Sequence, residues 1–299
     1  MKIKEFVKKY VDPKYLLILY FAALVIITFT GFRSLSPDNI FILLFGLALL
    51  TKKARQYLKD WLPFVLLILG YEALRGVADN LNQYVHIQEL IDLERTIFGT
   101  IPTLRLQELL HVAGQIRWFD YLGLFLYCTH FFFSFLVAYF LWLKKRAAFK
   151  MFVRGFLILC FAGFLTYIIY PAMPPWLAAR EGYLPEVHRI LLDTAKSFPY
   201  GLKFTTVYKI FGANPIAAMP SLHSAWPLFA FLMLFRFYKH KAWPFFLIPA
   251  GVWFFIVYFG EHYIIDVIAG IIYALAAFWL AAFWAKNKKD KQKVKKPTL

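Results

Sequence analysis

Apolar stretches recur eight times along this chain of 299 residues, at about 15–32, 36–51, 60–75, 119–143, 150–170, 220–238, 242–259 and 263–285. A helix needs roughly 20 such residues to cross the hydrocarbon of a bilayer, and backbone polar groups that cannot reach water leave helices as the natural way to span it. The hydrophobic share, 61%, exceeds the roughly 45–50% of soluble domains. A larger core would not hide that much apolar surface; a bilayer does. The chain is therefore predicted to be all-α, a polytopic transmembrane bundle of about eight spans without a soluble domain. The first apolar run follows Lys2, Lys4, Lys8 and Lys9 as in a signal peptide, but it is too long for that and no small-residue cleavage site closes it, so it is expected to be a retained helix. Cys128 and Cys160 sit inside apolar runs, which argues against a disulfide framework.

The net charge of +17 would by itself suggest nucleic acid. Its placement says otherwise. Most Lys and Arg residues fall in the N-terminal tail, Lys52 to Lys59, Lys144 to Arg154, Arg236 to Lys241 and the tail from Lys286. Eight spans with both termini on one side put all five segments on that side, and Lys/Arg bias marks the cytoplasm. The charge is read as a topology signal, with no nucleic-acid partner expected. The tail Lys286–Lys296 is expected to be a solvated stop to the eighth span that also reaches anionic lipid. Two longer segments, about 76–118 and 171–219, face the other side. In the first, Leu104, Leu106, Leu109 and Leu110 roughly follow helical spacing, which predicts a short interfacial helix over Pro102 to His111. Trp118, Trp176, Tyr170 and Tyr263 suit an interfacial belt or the lining of a lipid groove.

The ionisable groups converge at the outer ends of the last spans. The sixth opens with Met219-Pro220-Ser221-Leu222-His223-Ser224 and the eighth with Gly260-Glu261-His262-Tyr263-Ile264-Ile265-Asp266, while the fifth ends in Tyr170-Pro171. His262 and Asp266 are four apart, so one helix sets them on one face. A carboxylate there takes the N–H of one ring nitrogen and leaves the other as a basic lone pair, which is how a His becomes a nucleophile or a base. His223 opens another helix, with Pro220 suited to its first turn. Free N–H groups at that helix start, with the hydroxyls of Ser221 and Ser224, would cradle an anion. Two His, one Asp and an anion cradle suit phosphoryl transfer, where the protein supplies positioning and charge. Ionisable groups are costly near hydrocarbon, which favours function over decoration. Gly270 reads as helix packing, and His130 in the fourth span as either a partner of the site or a His bonded to a backbone carbonyl.

These motifs resemble the second and third motifs of the type 2 phosphatidic acid phosphatase superfamily in composition, order and separation. The likeness is strong over about Leu165 to Ala285. Upstream, Tyr71-Glu72-Ala73-Leu74-Arg75-Gly76 and Asp92-Leu93-Glu94-Arg95-Thr96-Ile97-Phe98-Gly99-Thr100-Ile101-Pro102-Thr103 resemble the branch that contains inositol phosphorylceramide synthases. The resemblance implies a six-helix catalytic core within 119–299, with 1–118 as added helices and an outer interfacial segment. It implies that His262 attacks phosphorus and forms a phosphohistidine, that Asp266 orients His262, and that His223 protonates the leaving oxygen and then activates water or an acceptor alcohol. It implies no metal and no cofactor.

The sequence also departs from that pattern. The phosphatases' Lys, six residues, then Arg-Pro is absent around Tyr170 to Pro175, and Phe255 and Ile256 stand where the third motif has Ser-Arg. Phosphoryl oxygens still need cationic or N–H partners. The candidates are Arg75, Arg180, Arg189, Lys203 and Lys209, with Arg75 the first choice at the outer end of the third span. The loss favours the transferase-like branch. The expected activity is cleavage of a lipid phosphate ester at the outer face of a membrane, the plasma membrane foremost, with transfer to an inositol- or sugar-like alcohol or to water. The rivals are a lipid transporter or scramblase, a metal-dependent hydrolase that uses His223, His262 and Asp266 as ligands, and a catalytically silent structural protein.

Overall fold

The computed structural model describes residues 37–51, 53–75, 81–197 and 214–294. The expected first span at 15–32, together with Lys203 and Lys209, lies outside them. The described residues form helices α1 (Pro37–Leu50), α2 (Ala54–Arg75), α3 (Gln88–Phe98), α4 (Pro102–Leu110), α5 (Trp118–Lys144), α6 (Arg146–Ile169), α7 (Pro175–Arg180), α8 (Ile190–Lys196), α9 (Leu222–Tyr238), α10 (Leu247–Tyr258) and α11 (Ile264–Val294), with a 3₁₀ segment Lys239–Phe246 between α9 and α10. Extended pairing among the described residues is confined to two single-residue bridges, from His86 to Ala172 and from Ala172 to Ala217. The polytopic helical bundle expected from the apolar pattern is what the chain forms.

The chain divides into two compact units, Met1–Ala73 with Ala195–Gly212, and Leu74–Thr194 with Ala213–Leu299. In the first, α1 buries Ile40, Leu44 and Ala48, which lie four apart on one stripe. The buried stripe of α2 is aromatic: Tyr57 and Trp61 stack with ring centroids 5.2 Å apart, and the Tyr57 hydroxyl donates to the Phe41 carbonyl at 3.0 Å. Leu58, Leu62, Leu66 and Leu67 of α2 are exposed, as befits a helix with a lipid-facing side.

The second unit carries the long helices. Trp118–Lys144, Arg146–Ile169, Leu222–Tyr258 and Ile264–Asn287 are each long and apolar enough to cross a membrane. Leu222–Tyr258 doubles back on itself. The Trp253 indole N–H donates to the Ser224 carbonyl at 3.1 Å, whereas a straight helix would hold residues that far apart in sequence about 43 Å apart. The chain reverses at Lys239, whose φ of 54° ends α9. Lys145, between α5 and α6, lies 5.3 Å and 5.2 Å from the Phe237 and Tyr238 ring centroids, so these two basic connections share one end of the bundle. Helix α9 is apolar on every side and sits centrally, against α5, α6, α10 and α11, with Ala225, Phe229, Ala230 and Met233 fully buried.

Three local expectations need correction. Pro220 stands one residue before the cap of α9 instead of in its first turn, because the Ser221 side chain takes the cap position by accepting from the Ser224 N–H. His262 lies ahead of α11, not within it, because the Asp266 carboxylate accepts the Tyr263 N–H and starts the helix after that residue. The Lys-rich tail does not stop the helix: α11 runs on to Val294, since lysines are good helix formers and no Gly or Pro intervenes before Pro297. The short helix over Pro102–Leu110 is present as α4. It buries Thr103 and Gln107, packs Leu104 against the core and leaves Leu109 exposed, so its leucines do not form one outward face.

Helices α9 and α11 cross where Gly270 has no side chain. A Cβ there would meet the Ser221 carbonyl oxygen and the Ser224 Oγ, both part of the α9 cap. Around Gly70 of α2 nothing lies within 4 Å of a built Cβ. Gly270→Ala is therefore expected to destabilise the protein by roughly 1–3 kcal/mol, as overpacking does, and Gly70→Ala to leave stability unchanged or slightly raised. Thermal unfolding of the two variants in one detergent checks the contrast.

Candidate active site

The site assembles where the end of α6 meets the starts of α9 and α11. The Ser221 N–H donates to the Asp266 carbonyl at 3.0 Å, and the Tyr167 hydroxyl of α6 donates to the Pro220 carbonyl at 2.9 Å. The turn before α11 needs Gly260, whose φ is 77°; its carbonyl accepts the Trp176 N–H at 3.0 Å. These backbone ties set the two sequence-distant histidines side by side. His223 Nδ1 and His262 Nε2 are 3.0 Å apart. His262 Nδ1 lies 3.4 Å from Asp266 Oδ2, long for a hydrogen bond. His262 is 5% exposed and Asp266 fully buried. A carboxylate on one ring nitrogen and a second histidine on the other is an arrangement for nucleophilic or acid–base work.

The structure thus brings His223, His262 and Asp266 together. Ser221 and Ser224 adjoin them, but both are fully buried and turned into the cap. Ser221 Oγ accepts the Ser224 N–H at 3.3 Å, and Ser224 Oγ contacts the carbonyls of Ser221 at 2.8 Å and Val267 at 3.2 Å. The N–H groups of Leu222 and His223 make no hydrogen bond among the described residues. Arg75 belongs to the same unit. Two of the other cationic candidates, Arg189 and Arg180, are engaged elsewhere. Arg189 pairs with buried Glu261 at 2.8 Å and lies 3.7 Å over the Trp176 ring. Arg180 is exposed and pairs with Glu181 at 2.9 Å. Phe255 and Ile256 are buried.

Tyr127 and Gln107 escaped the sequence reading, whereas His130 did not. The Tyr127 hydroxyl of α5 lies 2.9 Å from His223 Nε2. His130, one turn on, binds the Tyr127 carbonyl through Nδ1 and sets its ring 4.6 Å from that of His223, so both expectations for it hold at once. Two polar residues three apart inside an apolar span were the available signal. Gln107 of α4 donates to the carbonyls of His188 at 2.9 Å and Tyr258 at 2.8 Å, fastening the outer segment to the end of α10.

Glu94 of α3 is fully buried, and its Oε1 accepts the Ile265 N–H at 3.2 Å. It thereby caps α11 beside Asp266, where a carboxylate suits the helix dipole. Burial foremost, and then the Asp266 charge, push its carboxyl up to about 7, against the pull of the Ile265 N–H. Because the folded-state value is raised, the native protein holds a proton on Glu94 that the unfolded chain has lost above about 4.5, and stability falls as pH rises from there through about 7. The stability difference between Glu94→Gln and the native protein is expected to shift in favour of the variant across that window. Melting temperatures of both proteins at pH 5 and pH 8 check the sign; a difference independent of pH would contradict it.

The sequence model described as the PAP2 superfamily matches residues 88–280. A phosphoinositol dihydroceramide synthase of Bacteroides thetaiotaomicron is 30% identical over 270 residues, covering 84% of this chain and 84% of its own. The inositol phosphorylceramide synthase catalytic subunit aur1 of Schizosaccharomyces pombe is 22% identical over 248 residues, covering 80% of this chain and 57% of its own. No solved structure matches the chain.

Proposed function

Because the chain belongs to the PAP2 superfamily, we propose that it moves a phosphorylated head group from one lipid to an alcohol through a phosphohistidine on His262. Membership makes it an integral membrane enzyme of the lipid phosphatase and phosphotransferase class. The observation that carries the mechanism is the run Asp266, His262, His223, with steps of 3.4 Å and 3.0 Å in a buried pocket of helix starts. Asp266 holds Nδ1–H of His262, so Nε2 presents its lone pair to phosphorus. As the P–N bond forms and the lipid P–O bond breaks, His223 gives its Nδ1 proton to the leaving oxygen. In the second half His223 Nδ1 takes the proton of the incoming hydroxyl, the new P–O bond forms and the P–N bond breaks. Arg75 and the first-turn N–H groups of α9 would neutralise the phosphoryl oxygens in place of the absent Lys and Arg-Pro. Ser221 and Ser224 would act on phosphate indirectly, by shaping that turn.

The relatives' names join phosphoinositol to a ceramide. Carried here, they make phosphoinositol the group transferred and a ceramide-type hydroxyl the acceptor; free inositol, a sugar or water are the other acceptors the same chemistry serves. Residues 119–299 would carry catalysis, buttressed by the outer segment that contains α3 and α4. The site would face away from the cytoplasm, with both termini inside. The basic connections at Lys145 and Arg236–Lys241 lie at the opposite ends of the helices that begin or end near His223. Polar groups gathered at helix starts, not at a midplane break, favour an enzyme over a transporter.

Purified protein is incubated with labelled phosphatidylinositol and dihydroceramide, with and without chelator. Transfer is expected to produce a labelled sphingolipid, to persist with chelator and to fall at least about a thousandfold in His262→Ala. Free phosphate or inositol phosphate as the main product would assign a hydrolase. Activity that survives in the variant would remove His262 as nucleophile, and loss with chelator would point to the metal route.

A further inference from the structure

Resting on that mechanism, one residue outside the expected motifs acquires a role. We propose that Tyr127 is the positioning residue of the general acid–base His223, holding Nε2 so that Nδ1 is the ring atom through which the transferred proton passes. Its hydroxyl lies 2.9 Å from Nε2, while Nδ1 of the same ring faces His262 at 3.0 Å. The two ring nitrogens of His223 thus have different partners, one for binding and one for chemistry. Tyr127 is 5% exposed, so its side of this bond is buried. The tyrosine is itself held in place: its backbone carbonyl takes the His130 Nδ1–H, and the His130 ring sits edge-on to His223 with centroids 4.6 Å apart.

The proton count explains why a hydroxyl suits this position. A histidine that acts first as acid and then as base must cycle one proton at one nitrogen. As the imidazolium, His223 donates Nε2–H to the Tyr127 oxygen and Nδ1–H to the leaving oxygen. After the transfer it is neutral, still donates Nε2–H to Tyr127, and keeps its lone pair on Nδ1 for the incoming hydroxyl. A phenol oxygen accepts in both states and costs no second charge. If Nε2 were not held, the ring could settle with its hydrogen on Nδ1 and present no base. The partners of the two histidines divide the labour. His262 faces the carboxylate of Asp266, which stabilises the positive charge the ring takes on as Nε2 bonds to phosphorus, whereas His223 faces a neutral hydroxyl, which leaves it free to give up its proton. The other groups that bear on His223 are His130 from α5, His262 before α11 and Arg75 at the end of α2.

The test uses the full-length protein in detergent with phosphatidylinositol as donor and dihydroceramide as acceptor, comparing Tyr127→Phe with the native chain. Tyr127→Phe keeps the ring and its packing, and a melting curve accompanies each assay. The variant is expected to lower kcat by about 30-fold with KM unchanged, less than the roughly 10²–10⁴-fold that a general acid–base itself contributes, because the variant loosens His223 without removing it. It is also expected to move the limb of the pH–rate profile that belongs to His223. A donor with a p-nitrophenolate leaving group, which needs no proton, should release nitrophenolate in the first turnover at a rate close to native. A profile that does not move, or equal losses on both donors, would overturn the role, since a purely structural tyrosine slows both alike. His262→Ala separates the two readings: if it retains the nitrophenolate burst the phosphohistidine fails whatever Tyr127 does, and if it loses the burst while Tyr127→Phe behaves as native on the lipid donor, only the tyrosine's role fails.

Discussion

The hydrogen bond from the Ser221 N–H to the carbonyl of Asp266, at 3.0 Å, ties the cap of one membrane helix to the first turn of another. It forms only because Gly270 lets α9 and α11 come within backbone distance, where any Cβ would strike the cap. Everything chemical in the second unit depends on that approach. His223 is the second residue of α9 and His262 lies just ahead of α11, so the separation of the two rings is set by how the two helix starts are fastened. The fastening is redundant: Tyr167 holds the Pro220 carbonyl from α6, Glu94 holds the Ile265 N–H from α3, and Gln107 holds the end of α10 from α4. Backbone groups at helix ends must find partners when water is scarce, and here each partner also locates a reacting group.

The same site concentrates negative charge at the start of α11. Asp266 accepts the Tyr263 N–H and Glu94 the Ile265 N–H, so both carboxylates draw on the positive end of the helix dipole. Only Asp266 adjoins His262, its Oδ2 lying 3.4 Å from the ring Nδ1. Glu94 is the one whose carboxyl is pushed up to about 7, which limits the repulsion between two buried acids.

The apolar runs were enough to read the helical bundle, because a bilayer admits few alternatives. The four-residue step from His262 to Asp266 and the Pro-Ser-Leu-His motif likewise located the central residues. What could not be read there depends on contacts between residues far apart in sequence. Tyr127 is 96 positions from His223, Gln107 is 151 from Tyr258, and Glu94 is 171 from Ile265. Nothing in the local pattern of an apolar span marks which tyrosine will meet a histidine. Ser221 and Ser224 show the reverse difficulty. As sequence they are hydroxyls beside a histidine; folded, they are the cap that shapes the turn. Arg189 looked like any outer cation until Glu261 and Trp176 were found to hold it.

The central claim is that phosphorus is bonded to His262 between the two half-reactions. Mixing the enzyme with donor lipid labelled in its phosphate, withholding acceptor, quenching in alkali and sequencing the labelled peptide tests this directly. The account requires an acid-labile, alkali-stable adduct on His262 that disappears when dihydroceramide is added. Turnover with no adduct at any time, or label on a residue other than His262, would contradict it.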